Sequence, residues 1–224
     1  HLFFIGLAYL GGIDVEIDAK RALKLIKEAA EQELPEAIAK LVAMYNTGDG
    51  VKRDCFTAIE WQKRLVELRK KQYELDETEE KIGRYYRALR DLYDYLFDAR
   101  KIEDAYEIAL RMERLSNEME LKFESHDSLN NLAISYNCLG RVIEEKGNIT
   151  EALEWYQKAM MAREVLAKGI RLASDRQSLS FSYDHRGEVY EQNGRLLEAK
   201  VWYEKALVLR EEIAEEVHTI RSRR

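Results

Sequence analysis

Three residues able to do nucleophilic chemistry recur in this chain at a fixed interval. Asp91, Cys138 and His185 stand 47 residues apart each time. A thiol beside an imidazole that a carboxylate orients is a working nucleophile, so these three are candidates for a thiol enzyme. If the interval is a structural repeat, they occupy equivalent positions on neighbouring helices, whose axes lie about 8–10 Å apart. That separation is too wide for direct hydrogen bonds without favourable side-chain reach. Nothing in the sequence suggests an oxyanion hole or an enclosed pocket. The reading goes against catalysis by Cys138, His185 and Asp91; a Cys138–His185 hydrogen bond together with a depressed thiol pKa would reverse it.

Other chemistry is no better supplied. The histidines (His1, His126, His185 and His218) show no metal-ligand spacing with Cys55 or Cys138. The stretch "GGIDVEID" (11–18) follows a helical pattern and is no phosphate-binding glycine loop. No metal, cofactor or catalytic residue is therefore expected. Charged residues make up 35% and hydrophobic ones 46% of 224, the balance of a soluble folded chain. The net charge is −6 with no basic stripe, which argues against nucleic acid. The closing "RSRR" (221–224) reads as a frayed basic tail. No basic amphipathic helix points to a membrane, and the opening "LFFIGLAYL" (2–10) is too short to span one. Two cysteines 83 residues apart make no disulfide framework and favour a reducing, cytoplasmic setting. The chain starts without Met inside a helical pattern, so it is expected to be a piece of a longer protein.

The elements that position these residues follow from the same interval. One proline and eleven glycines leave few helix breakers, which favours an all-α chain. "EEKGNITEALEWYQKA" (144–159) returns as "EQNGRLLEAKVWYEKA" (191–206) with half of its sixteen positions identical. The period extends backward to give copies at 79–125, 126–172 and 173–219. In the middle copy Leu132, Tyr136, Leu139 and Ile143 share one helix face, and Ile149, Leu153, Tyr156 and Met160 share another. Gly147 and Gly194 lie between the stripes, where a helix C-terminus favours a left-handed residue. Each copy is a helical hairpin. It cannot bury its apolar face alone, so the copies stack.

Gly140 and Gly187, followed by Ala152, Tyr156 and Ala159 and again by Ala199, Tyr203 and Ala206, resemble the tetratricopeptide repeat. The usual repeat has 34 residues; with 47, these copies resemble the elongated repeats of kinesin light chains. The first copy has Tyr93 for the glycine and Ala109 for the tyrosine, a volume-conserving exchange. The N-terminal third has a period of 36: Tyr9, Gly12, Val15, Asp18 and Ala22 recur as Tyr45, Gly48, Val51, Asp54 and Ala58, with Trp61 in place of Leu25. This resembles the Sel1-like repeat, and "LFFIGLAYL" becomes its first helix. Asp14 replaces the second glycine of the pattern, Gly50, which predicts an altered turn. The expected layout is two Sel1-like repeats over 1–70, a charged helical boundary over 71–80, three tetratricopeptide-like repeats over 81–219 and the tail at 220–224. The resemblance implies an all-α, right-handed superhelical α-solenoid of stacked antiparallel helix hairpins.

It also implies a function. The first helix of each hairpin is expected to line a concave binding face. The lining residues are then Arg87, Arg90, Asp94 and Phe97; Ile134, Asn137, Arg141 and Glu144; and Phe181, Asp184, His185, Glu188 and Glu191. The stripe begins basic and ends acidic, suited to orienting a charged peptide; ordinary solvated helix faces would look the same. Phe97, Ile134 and Phe181 favour binding, because exposed apolar residues there have no core role. The carboxylate clamp of some tetratricopeptide proteins is not kept, since Asp94, Cys138, Phe181 and His185 stand where its cations or amides belong. The expectation is a non-catalytic module that binds a protein or peptide. The alternative is a self-associating or spacer element of a larger protein.

Overall fold

The computed structural model describes residues 1–169 and 173–222. Of the expected basic tail, Arg223 and Arg224 lie outside them. The described residues form ten helices and no strand: α1 (Leu2–Gly11), α2 (Ala19–Glu31), α3 (Pro35–Thr47), α4 (Cys55–Leu75), α5 (Glu79–Asp98), α6 (Ile102–Phe123), α7 (His126–Glu145), α8 (Ile149–Lys168), α9 (Ala173–Gln192) and α10 (Leu196–Ser222). Consecutive helices pack on one another from α1 to α5 and from α7 to α10, and the chain is an all-α solenoid of stacked hairpins. It divides into two compact units, His1–Ile108 and Ala109–Arg224, with the division inside α6.

In the first unit the 36-residue period is visible atom by atom. Asp18 caps α2 by accepting from the Arg21 amide at 2.9 Å, and Asp54 caps α4 by accepting from Phe56 and Thr57 at 3.0 and 3.2 Å. The amides of the same two residues donate to the carbonyls of Tyr9 and Tyr45, at 3.0 and 2.8 Å. Each turn thus stays tied to the end of the helix before it. Gly12 and Gly48 close α1 and α3 in the left-handed region, at φ 68° and 84°. The turn expected to be altered by Asp14 is not: Asp14 adopts φ 59° where its counterpart Gly50 has φ 69°. Aspartate is among the few side chains that tolerate this conformation. The core runs from Ile26, Leu41 and Met44 through Ile59 to Ile82, Tyr86, Leu89 and Leu96. The charge run at 69–81 spans the end of α4 at Leu75, a short break at 76–78 and the start of α5, which Thr78 caps through the Lys81 amide. Buried within it, Tyr73 stacks on Tyr85.

The second unit shows what the 47-residue repeat conserves. Gly140 and Gly187 are buried under the rings of Tyr156 and Tyr203, which lie so close that no Cβ would fit. This contact clamps α7 to α8 and α9 to α10. Gly147 and Gly194 take φ 85° and 73° in the turns, as the spacing predicts. Successive hairpins are joined by Ser116 Oγ donating to Ser135 at 3.1 Å, and one repeat later by Arg163 donating to Ser182. Tyr93 and Ala109, the exchanged pair of the first copy, are both fully buried.

Candidate binding face

The expected lining residues fall in both units. On α5 in the first unit, Arg87 and Asp94 are exposed, while Arg90 lies 3.8 Å from Asp91. Burial raises the Asp91 carboxyl above its ordinary pKa, against the pull of Arg90 and Arg87. Phe97 is half-buried and stacks on Tyr93 with centroids 5.7 Å apart, so much of it serves the core.

In the second unit α7 and α9 carry the rest. Ile134 and Asn137 are half-buried, Arg141, Glu188 and Glu191 are exposed, and Phe181 is 57% exposed. The polar members are held from below by the second helix of each hairpin. Tyr156 donates its hydroxyl to Glu144 at 2.5 Å, and Tyr203 donates to Glu191 at 2.7 Å. The latter bond pushes the Tyr203 hydroxyl up to about 12. Asp184 forms an ion pair with Arg210. With its amide oxygen turned toward α8, Asn137 accepts from both terminal nitrogens of Arg163, at 2.5 and 2.7 Å. Four side chains of α7 and α9 are thereby held by the paired helices.

His185 lies on the α9 stripe beside Tyr156. Its ring stands edge-on to Tyr156 at 4.5 Å, with Nδ1 3.4 Å from Glu188 and Nε2 3.9 Å from Glu144. Nε2 is buried and has no hydrogen-bond partner, so the Cys138–His185 bond that would support a thiol enzyme is not formed. Cys138 itself is buried. Among the described residues no group of three or more His, Cys, Asp or Glu side chains is placed to hold a metal ion. No described helix is long and apolar enough to cross a membrane.

Two features of the face escape a reading by stripes. Arg163 and Arg186 sit on α8 and α9 outside the expected lining, yet Arg163 reaches Asn137 and Ser182, and Arg186 donates to Gln157 and lies 4.3 Å over the Trp202 ring. A single arginine on an amphipathic helix looks like a solvent-facing charge. The available signal was the repeat itself, which places Arg210 and Asp184 at the positions equivalent to Arg163 and Asn137.

Comparison with known repeats agrees with the hairpin geometry. The Sel1 repeat model matches residues 2–34, 35–67 and 126–162, and the tetratricopeptide repeat model matches 182–212. Sel1 repeats thus occupy 2–67 and 126–162, and a tetratricopeptide repeat occupies 182–212. The Sel1 match at 126–162 falls within the middle 47-residue copy, where tetratricopeptide spacing was read; both repeat types are stacked helix hairpins, and the two patterns meet there. Its solved neighbours are similar in fold. The TPR-like repeats of a Podosopora anserina putative kinesin light chain are 15% identical and cover 94% of each chain at a TM-score of 0.60. The apo form of RapI is 14% identical over 98% of this chain and 73% of its own, at 0.58. MamA is 21% identical over 96% and 94%, at 0.55. No curated protein matches the sequence. Sel1 and tetratricopeptide repeat families typically mediate protein–protein interaction and are generally non-catalytic.

Proposed function

We propose that this chain is a protein-interaction module that binds a peptide or protein segment across α7 and α9. One observation supports the reading above the others: Asn137, Glu144, Asp184 and Glu191 on these helices are each held by a side chain of the paired helix. A surface fixed in advance loses less rotamer freedom when a partner docks. Exposed Arg141 and Phe181 supply a cation and an aromatic anchor beside it. The α5 stripe of Arg87, Arg90, Asp94 and Phe97 is a further part of the same proposal, to be tested in the first unit by itself.

The test is capture from the source lysate with the native chain and with the double variant Arg141→Glu, Phe181→Ala. Both positions are exposed, so the variant keeps the native circular dichroism and melting temperature. A protein retained by the native chain and lost with the variant supports the face. Equal retention by both places the site elsewhere.

One observation favours a second reading, self-association. Leu197, Val201 and Val208 on α10 are 81%, 48% and 54% exposed, and the last two border a groove of about 480 Å³ floored by Leu179 and Tyr183. Solution mass decides: a dimer dispersed by Val201→Glu with Val208→Glu supports it, and a native monomer removes it.

A further inference from the structure

Arg163 is a largely buried charge to which no acid of the described chain replies. Burial pushes its guanidinium down to about 10, and the one group acting the other way is the Cys138 thiol. Its hydrogen-bond partners are neutral: the amide oxygen of Asn137 and the hydroxyl of Ser182. Its Nε is buried with no partner at all. Arg176 and Arg186 each keep a buried Nε without a partner as well, but their guanidinium groups are otherwise engaged. Arg176 donates to both carboxylate oxygens of Glu216, and Arg186 lies over Trp202.

The repeat provides its own control. Forty-seven residues after Arg163 and Asn137 stand Arg210 and Asp184, and those two form an ion pair. At the equivalent place in the preceding hairpin the chain keeps the arginine and replaces the carboxylate by an amide. A buried cation held only by neutral acceptors keeps most of its desolvation penalty. A carboxylate arriving there would gain charge-assisted, forked hydrogen bonds. Asn137 and Ser182 lie on α7 and α9, so the guanidinium reaches the proposed face between those helices. The acids nearby are already engaged: Glu144 by Tyr156, Asp184 by Arg210 and Glu164 by Tyr183. Arg141, one turn after Asn137 on α7, adds a second cation at the surface.

We infer that Arg163, framed by Asn137 and Ser182, receives one Asp or Glu side chain of an acidic partner peptide. The inference rests on the α7–α9 face being the binding face, and the test separates the two. Two pools of acetylated, amidated nonapeptides serve as probes. One has Glu fixed at the centre among randomised uncharged residues, and the other has Gln there. Each pool is titrated into the full chain labelled with ¹⁵N while the arginine Nε–Hε signals and the backbone amides are followed.

The Glu pool is expected to shift the Arg163 signal and to bind about tenfold tighter than the Gln pool, the scale of one charge-assisted hydrogen bond. The variant Asn137→Asp installs the missing carboxylate in the chain. It should melt higher than the native protein and lose the discrimination between pools. Equal binding of both pools with shifts along α7 and α9 overturns the carboxylate site and leaves the face standing. No shift on α7 or α9 with either pool overturns both. A variant Asn137→Asp that is no more stable than native, or that still prefers the Glu pool, overturns the role of Arg163.

Discussion

Gly140→Ala is the sharpest test of how the hairpins are held together. A methyl group there would sit 2.4 Å from Tyr156 Cε1, 2.6 Å from Cδ1 and 2.9 Å from Cζ. Carbon atoms in contact ordinarily stand about 3.5–4.0 Å apart, so the ring would have to retreat by more than about 1 Å. It has little room to do so, being buried with its hydroxyl bonded to Glu144. Overpacking of this kind costs about 1–3 kcal/mol. Replacing a mid-helix glycine by alanine returns about 0.5–1 kcal/mol. A pinned ring places the clash near the top of its range, for a net loss of about 2 kcal/mol. At about 2–4 °C per kcal/mol for a chain of this size, the melting temperature should fall by about 4–8 °C. Gly83 in α5 is the control, because a Cβ there meets nothing within 4 Å. Gly83→Ala should therefore melt above the native protein, by about 1–4 °C. Thermal melts followed by circular dichroism read both. A Gly140→Ala protein that melts at or above native would refute the clamp, as would a Tyr156→Leu background in which the Gly140→Ala loss is not reduced.

Three further outcomes are expected. His126 Nε2 lies 2.9 Å from Asp175, and that hydrogen bond raises the imidazole above its ordinary pKa of 6.5. The pair's stabilisation is therefore complete below pH 6.5 and lost as pH rises through the folded value; the melting temperature should fall over that window, and His126→Gln should flatten the profile. Gln62 is buried and donates to the Ala88 carbonyl at 2.8 Å, joining α4 to α5. Gln62→Ala should cost about 1–3 kcal/mol in urea unfolding, and a midpoint unchanged from native would dismiss the bond. Asp14 holds a left-handed conformation, so Asp14→Val should lose about 1 kcal/mol or more while Asp14→Gly melts no lower than native.

What the sequence shows of this fold is what repetition shows. Gly140 with Tyr156 and Gly187 with Tyr203 were legible because the same large and small residues recur at one spacing, and a recurring pair implies a recurring contact. Asp18 and Asp54 were legible for the same reason. Asp14 was misread because residue identity was taken for backbone conformation; the turn needs φ > 0, and aspartate supplies it as glycine does. Phe97 illustrates a second limit. A helical stripe assigns a face but not the reach of a long ring, and Phe97 bends back onto Tyr93. Arg163 lay furthest from view. Its partners come from α7 and α9, so its environment depends on three helices at once, and no single periodicity contains it.

That difficulty also separates scaffold from specificity. Positions that hold the hairpins together must fill the same gap in every copy, whether by the same residues or by an exchange such as Tyr93 with Ala109. The α7–α8 and α9–α10 hairpins agree at glycine, alanine and tyrosine. They differ at Asn137 against Asp184, His185 against Cys138, and Phe181 against Ile134, all of them on the first helices. The Asn137–Asp184 difference has a physical sign. With Asp184 the arginine beneath is neutralised within its hairpin, whereas with Asn137 it is left able to gain from an outside anion. One repeat later the ion pair fits the same backbone, on an arginine side chain that is 43% exposed. Under the proposed carboxylate site, the charge that Asn137 leaves unanswered on Arg163 is what a partner's carboxylate would meet, and the Asn137→Asp melt reads whether an acid there stabilises the chain.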